Sequence, residues 1–233
     1  FAFFALKQLF MTESNRKLFG FPGTFWTANV MELFERWAWY GMFILLALYF
    51  TGSTDEGALG FTQGQKGLLM GTVVGILYVL PTITGAIADK FGYKRILILS
   101  YIILGSGYLL MGYVTTYASM FLAFLYLALG AGLFKPVISA TITKTTTEKT
   151  ASIGFGIFYM IVNIGAFVGP VVASKLREID WQYAFWMSSG AILVNIILVM
   201  LFYKEPEREK VSEPLSKTIR DIFNNLGKAL TDY

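Results

Sequence analysis

The chain has 233 residues, of which 55% are hydrophobic and 15% charged, and it contains neither cysteine nor histidine. This balance is typical of a membrane protein, and it excludes disulfides, thiol chemistry and imidazole-based proton transfer. Proton chemistry near neutral pH would have to use carboxylates or lysines with shifted pKa values. The net charge of +4 needs no nucleic-acid partner to explain it, because the basic residues lie in short segments between apolar runs.

Six apolar runs approach or exceed the roughly 20 residues that a helix needs to cross a bilayer. They lie at about 24–50, 66–88, 96–114, 118–143, 152–176 and 181–203. Because lipid offers the backbone no hydrogen-bond partners, such runs favour helices. We therefore expect an all-α membrane protein in which residues 24–203 form a six-transmembrane-helix bundle.

Two segments flank the predicted bundle. Residues 1–23 are expected to form an N-terminal cytoplasmic or interfacial segment. In residues 204–233, apolar side chains recur at helical spacing, namely Ile219, Ile222, Phe223, Leu226 and Leu230. This pattern predicts a cytoplasmic amphipathic helix or a linker.

The distribution of lysine and arginine predicts how the spans are oriented. An even number of spans puts both ends on one side of the membrane. That side would hold Lys7, Arg16, Lys17, Lys90, Lys94, Arg95, Lys144, Lys149, Lys204, Arg208 and Lys210. The opposite loops hold only Lys66, Lys175 and Arg177. The positive-inside rule therefore favours both ends in the cytoplasm, in a cell inner or plasma membrane.

The first span carries charges inside an apolar, aromatic run, "MELFERWAWYGMF". Glu32, Glu35 and Arg36 are spaced three and four residues apart, so they share one helix face. A charge at the bilayer centre costs about 2.5–3.5 kcal/mol unless it is paired or hydrated. Lys135, deep in the apolar fourth span and next to Pro136, is the obvious partner for the second glutamate.

Two acids and two bases form a neutral set when all are charged, and protonating one glutamate frees one base. This arrangement predicts a proton-coupled switch, in which protonation depends on whether a nearby lysine is paired with a carboxylate or with a ligand. The alternative is a static ion-pair cluster that fixes helix register. The high cost of charge in the membrane favours the switch.

Other polar and small residues have both functional and packing interpretations. Tyr159 and Asn163 lie four apart on the fifth span and suit either a polar ligand or hydrogen bonds between helices. Small residues recur every four positions at Gly67, Gly71 and Gly75, and again at Gly165 and Gly169. Such spacing predicts close helix packing, with a smaller chance of a sliding contact.

The loop after the second span reads "GAIADKFGYKR". It resembles the signature loop of the major facilitator superfamily, whose turn carries spaced glycines, an aspartate and basic residues. The resemblance implies a cytoplasmic gate formed by Gly85, Asp89, Lys90, Gly92, Lys94 and Arg95.

Three further segments resemble motifs of proton-dependent oligopeptide transporters. "ELFERWAWY" is similar to ExxERFxYY, "GAGLFKP" to the fourth-span lysine motif, and "FYMIVNIGA" to the fifth-span signature. The resemblance implies the N-terminal six-helix half of a transporter with no enzymatic activity, a second six-helix bundle as partner, and a proton as coupling ion with no other cofactor. It implies proton coupling by Glu32, Glu35, Arg36 and Lys135. A short-peptide substrate would contact Tyr40, Trp39, Asn163, Tyr159, Tyr78 and Lys135.

Two positions differ from the family pattern. Phe43 stands where many peptide-transporting members carry an arginine, and Trp39 replaces a tyrosine. The coupling residues match, whereas the surface that would select the substrate differs. Transport of a non-peptide solute therefore stays open, as does a non-transporting receptor or assembly subunit with the same fold.

Overall fold

A computed structural model describes residues 18–207 and three isolated positions, 217, 220 and 224. Within this part of the chain, six α-helices follow one another: α1 Gly23–Thr51, α2 Gln63–Phe91, α3 Tyr93–Tyr113, α4 Tyr117–Thr145, α5 Ala151–Arg177 and α6 Trp181–Leu201. A short 3₁₀ turn, Thr54–Glu56, lies between α1 and α2. The predicted all-α bundle of six helices is confirmed.

The predicted terminal segments fall largely outside the described residues. This applies to residues 1–17 and to the proposed amphipathic helix with Ile219, Ile222, Phe223, Leu226 and Leu230. Their structure therefore stays a prediction.

Helix boundaries follow from local capping chemistry. Thr62 starts α2 with a capping box, since its hydroxyl accepts from the Gln65 amide while the Gln65 side chain accepts from the Thr62 amide. Asp180 caps α6 by accepting from the Gln182 amide. Gly92 separates α2 from α3 with a φ of +102°, which favours glycine.

Five of the six helices are both long and apolar enough to cross a membrane, namely α2 to α6. The remaining helix, α1, has 29 residues and is therefore long enough. Its composition is less apolar because it contains Glu32, Glu35 and Arg36. The charged residues that distinguish α1 from the other helices therefore also lower its mean hydropathy.

Helix α1 lies at the centre of the bundle and contacts α4, α5 and α6. Helix α3 packs between α4 and α6, and α2 packs mainly on α4. Large aromatic rings fill the core, among them Phe25, Phe50, Phe124, Phe134 and Phe185. Helices α2 and α5 are the least buried and expose large apolar side chains, including Leu68, Val79 and Phe167.

Glycines bring α1 and α5 into backbone contact. A Cβ at Gly165 would lie 2.8 Å from the Leu33 carbonyl oxygen, and one at Gly169 would lie 2.9 Å from the Gly41 nitrogen. The predicted close packing is therefore confirmed at this pair. The other stripe differs: added Cβ atoms at Gly67, Gly71 and Gly75 would meet no atom of the described residues within 4 Å. That stripe lies on the poorly covered α2, so its spacing produces no close contact inside this bundle.

We predict that Gly169→Ala destabilises the bundle by about 1–3 kcal/mol, because the methyl group forces α1 and α5 apart. Gly190→Ala on α6 is the matched control, since a Cβ there meets no described atom within 4 Å. Thermal unfolding in detergent measures both variants. Equal melting temperatures for the two would contradict the close α1–α5 contact.

Candidate functional site

Four charged side chains meet between α1 and α4. Glu32 and Glu35 are fully buried, at 0% exposure. Lys135 Nζ lies 2.7 Å from Glu32 Oε1. The Arg36 guanidinium bonds Glu35, and its Nε lies 3.5 Å from Glu32 Oε1. The expected pairing of two acids with two bases is observed, and we call these four residues the charge cluster.

Pro136 changes the backbone hydrogen bonding next to Lys135. Pro136 has no N–H, so the Gly132 carbonyl loses its usual partner inside α4. The Thr84 hydroxyl of α2 donates to that carbonyl at 2.6 Å, which replaces the missing bond and ties α2 to α4. The Lys135 side chain stays 40% exposed, and its Nζ lies 5.1 Å from the centre of the Phe158 ring on α5. Lys135 therefore faces both Glu32 and open space.

A cavity of about 300 Å³ opens beside the charge cluster. Five of the predicted site residues line it, namely Arg36, Trp39, Tyr40, Tyr78 and Lys135. The other lining residues are apolar: Phe43, Val74, Leu77, Pro81 and Ala131. The cavity thus presents two cations and two phenol groups on an otherwise apolar wall. The described residues bring together no group of three side chains able to hold a metal ion.

Aromatic rings shape one side of this cavity. Trp39 and Phe43 stack with ring centres 5.3 Å apart and planes 15° apart, and we call this pair the aromatic wall. The Arg36 guanidinium carbon lies 5.6 Å from the centre of the Tyr40 ring. The spacing of four residues on α1 explains both contacts. The sequence analysis singled out Trp39 and Phe43 one by one but missed that they stack.

Two predicted substrate contacts on α5 lie outside the cavity lining. Tyr159 is 61% exposed, and Asn163 is exposed as well. The Asn163 amide donates to the Tyr159 carbonyl at 2.8 Å, along its own helix. Their contact with a substrate stays a prediction.

The predicted gate loop lies where α1 begins and α6 ends, which we call the basic end. The Tyr93 hydroxyl donates to Asp89 Oδ1 at 2.8 Å, and the Tyr93 amide donates to Glu205 Oε1 at 2.8 Å. Glu205 thereby caps α3, whose N-cap Gly92 has no side chain to do so. Lys94 Nζ donates to the carbonyl of Tyr203 at 3.4 Å. The loop is thus fastened to the segment that leaves α6.

The other predicted gate residues are spread around this loop. A Cβ at Gly85 would meet Pro136 at an ordinary 3.7 Å, Lys90 lies in the last turn of α2, and Arg95 is exposed. Sequence reasoning missed Glu205, although a carboxylate directly after the last span could have suggested a cap. It also missed Tyr203, whose hydroxyl lies 2.7 Å from that of Thr141. A gating role for Gly85, Asp89, Lys90, Gly92, Lys94 and Arg95 stays a prediction.

The profile of the Major Facilitator Superfamily matches residues 21–232. The chain belongs to the major facilitator superfamily. It is therefore an integral membrane protein, and the resemblance seen in the gate loop is confirmed.

Relatives within the major facilitator superfamily narrow the assignment to the proton-dependent oligopeptide transporters. The chain is 32% identical to dipeptide and tripeptide permease B of Salmonella typhimurium, over 88% of the chain and 41% of the permease. It is 27% identical to the uncharacterized transporter YclF of Bacillus subtilis, over 91% of the chain and 44% of that protein. The chain thus spans less than half the length of these relatives.

Solved structures of the same superfamily share the fold. A bacterial homologue of the human drug peptide transporters PepT1 and PepT2 matches with a TM-score of 0.69 and 30% identity, over 86% of this chain and 47% of that one. The tetrameric PepTSo2 matches with a TM-score of 0.70 and 27% identity, over 89% of this chain and 47% of that one. Residues 18–207 therefore have the fold of the N-terminal six-helix half of such a transporter.

We predict that Lys135→Met destabilises the protein by about 3 kcal/mol, since it leaves buried Glu32 without its closest partner. Adding Glu32→Gln should recover most of this loss, because no unpaired charge then remains in the bundle. Lys144→Met, at an exposed position, is the control. Unfolding measurements on the two single variants and the double variant give the coupling energy. If the double variant lost as much stability as the two single variants together, the pairing of Lys135 with Glu32 would be contradicted.

Proposed function

We propose that this chain forms half of a proton-coupled symporter for di- and tripeptides or peptide-like solutes. The observation that carries the proposal is the charge cluster, two fully buried carboxylates paired with two cations that line a cavity. Dipeptide and tripeptide permeases and a peptide transporter among the relatives support peptide as the substrate class.

Lys135 is the residue that links the proton to the substrate. It bonds Glu32 and lines the cavity at the same time. A substrate carboxylate in the cavity competes with Glu32 for Lys135, and a buried carboxylate that loses its cation is costly unless it takes up a proton. Conversely, protonation of Glu32 releases Lys135 to bind the substrate. Each event favours the other, as reciprocal linkage requires.

Arg36 holds the second carboxylate and couples the two acids. It bonds Glu35 and also reaches Glu32. Loss of the negative charge on one glutamate shifts Arg36 fully to the other, so the pair responds as a unit. The switch therefore needs no large movement of α1, only an exchange of partners among long side chains.

A second six-helix bundle completes the proposed pathway. Superfamily transporters hold substrate near the midplane, between two bundles. The relatives are more than twice as long as the part matched here. The exposed apolar faces of α2 and α5, together with the uncovered stripe Gly67, Gly71 and Gly75, fit such a partner.

Both ends of this bundle are proposed to lie in the cytoplasm. The basic end carries Lys90, Lys94, Arg95, Lys144, Lys149 and Lys204. The opposite end has fewer basic residues and carries Asp55, Glu56, Glu178 and Asp180. This asymmetry follows the positive-inside rule.

We predict that Glu35→Gln and Lys135→Ala each abolish proton-driven accumulation of labelled dipeptide in proteoliposomes, because either change removes a member of the exchanging set. Glu148→Gln, an exposed loop carboxylate, is the control and should transport normally. Undiminished coupled uptake in both cluster variants would overturn the mechanism. Saturable binding of dipeptide without accumulation by the unmodified protein would instead indicate a receptor.

The aromatic wall favours cargo with an apolar or aromatic group beside its carboxylate. We predict that phenylalanine-containing dipeptides compete with labelled dialanine better than serine-containing ones do. Phe43→Ala should reduce this preference about tenfold, or about 1.4 kcal/mol of lost apolar contact. Ile102→Ala, at an exposed position on α3, is the control. Uptake that no dipeptide inhibits, but another solute does, would point to a non-peptide transporter.

A further inference from the structure

Phe158 of α5 contacts the charge cluster without lining the cavity. Lys135 Nζ lies over the Phe158 ring, 5.1 Å from its centre. The ring is 3% exposed, and it is not among the residues that line the cavity of about 300 Å³. The same ammonium group lies 2.7 Å from Glu32 Oε1. Lys135 is therefore placed between a carboxylate that can lose its charge and a ring whose attraction for a cation is permanent.

The backbone that carries this ring is held by close contacts on both sides of Phe158. A Cβ at Gly154 would lie 3.2 Å from the Phe21 ring, and one at Gly165 would lie 2.8 Å from the Leu33 carbonyl oxygen. Neither glycine leaves α5 room to shift toward α1. The ring is thus presented from a fixed backbone, and the long lysine side chain is the partner that can move.

The distance between the ammonium group and the ring gives the contact a direction. The negative face of an aromatic ring attracts a cation that lies within about 6 Å of its centre, and the attraction is stronger where water is excluded. At 5.1 Å the contact is incomplete, since Glu32 holds the ammonium group at hydrogen-bond distance. Once Glu32 is neutral, the flexible stem of Lys135 lets the ammonium group settle closer to the ring. Phe158 therefore stabilises the unpaired lysine more than the paired one.

We propose that Phe158 is a positioning residue that takes up the Lys135 ammonium group when Glu32 is protonated and keeps it beside the cavity for a substrate carboxylate. This inference rests on the proposed function and adds to it the place where the released lysine waits. One proton binds to Glu32, the ion pair opens, and Lys135 stays charged. Phe158 acts through Lys135 and needs no contact with the substrate.

The charge cluster supplies the other charges that face Lys135. On α1 these are Glu35 and Arg36, which bond each other. The charged residues of α2, α3 and α5 lie in the first or last turn of each helix. In the middle of these three helices the titratable groups are phenols, namely Tyr78, Tyr101, Tyr108 and Tyr159. The charge on Glu32 therefore decides whether Lys135 is paired or released.

The sign of the effect on pH dependence follows from this preference. Phe158 favours the state in which Glu32 carries a proton and Lys135 is unpaired. A weaker ring contact makes that state harder to reach, because the released ammonium group loses its second partner. Proton-driven uptake then requires a lower pH.

The test replaces Phe158 with mono-, di- and trifluorinated phenylalanine in the intact protein in proteoliposomes. Ring fluorines weaken the negative face stepwise and add little volume, so a role in packing alone would not respond to them. We expect the pH of half-maximal proton-driven uptake of labelled dialanine to fall along the series, by about half a unit in all. The same series at Phe124 is the matched control and should leave the pH profile unchanged. Phe124 is a buried ring of α4 that no cation of the described residues covers.

A stability measurement tests the same contact without transport. Glu32→Gln mimics the protonated carboxylate, so trifluorination of Phe158 should lower the melting temperature by about 2 °C more in this variant than in the unmodified protein. In the double variant Glu32→Gln with Lys135→Met, the extra loss should disappear because the cation is gone.

Two results would overturn the inference. One is a pH profile that stays the same along the fluorinated series at Phe158, and the other is an equal effect of fluorination on the melting temperature in all three backgrounds. Absence of proton-driven uptake in the unmodified protein would instead refute the proposed function, and the melting temperatures would still decide for or against the contact between Phe158 and Lys135.

Discussion

Keeping two carboxylates inside an apolar bundle is the constraint on which the rest of this structure depends. Glu32 and Glu35 have no exposure to solvent, so α1 cannot be stable in lipid without cations nearby. One cation comes from α1 itself and the other from α4. This requirement places α4 against α1, and the Thr84 bond to Gly132 then fixes α2 beside α4. The arrangement of three helices follows from the neutralisation of one helix face.

The same face of α1 divides into two regions along its length. Toward the basic end it carries the acids and Arg36, and beyond them it carries Trp39, Tyr40 and Phe43. The charges proposed to exchange partners and the side chains proposed to contact substrate therefore lie within three turns of a single helix. Next to this face, Gly165 and Gly169 let α5 pack directly against the backbone of α1, so α5 follows α1 closely.

The sequence predicted the six helices and the partnership of Lys135 with a buried glutamate, because long apolar runs and the cost of unpaired charge leave few other solutions. It could not predict contacts that depend on how distant segments meet. The capping of α3 by Glu205 joins residues 112 positions apart. The glycine spacing also predicted close packing for both stripes alike, since spacing alone does not show whether another helix lies against them. Only the stripe on α5 meets a described helix closely.

The weak hydropathy of α1 has a consequence for how the protein is made. Glu32 leaves the ribosome 103 residues before its partner Lys135, a delay of roughly 5–20 s at ordinary rates of synthesis. During that interval Arg36 is the one cation of the charge cluster already synthesised, and it faces two acids. Because unpaired charge is costly in lipid, we expect α1 to stay sheltered at the translocon until α4 arrives. The pairing of Glu32 with Lys135 thus links the membrane insertion of α1 to the arrival of α4.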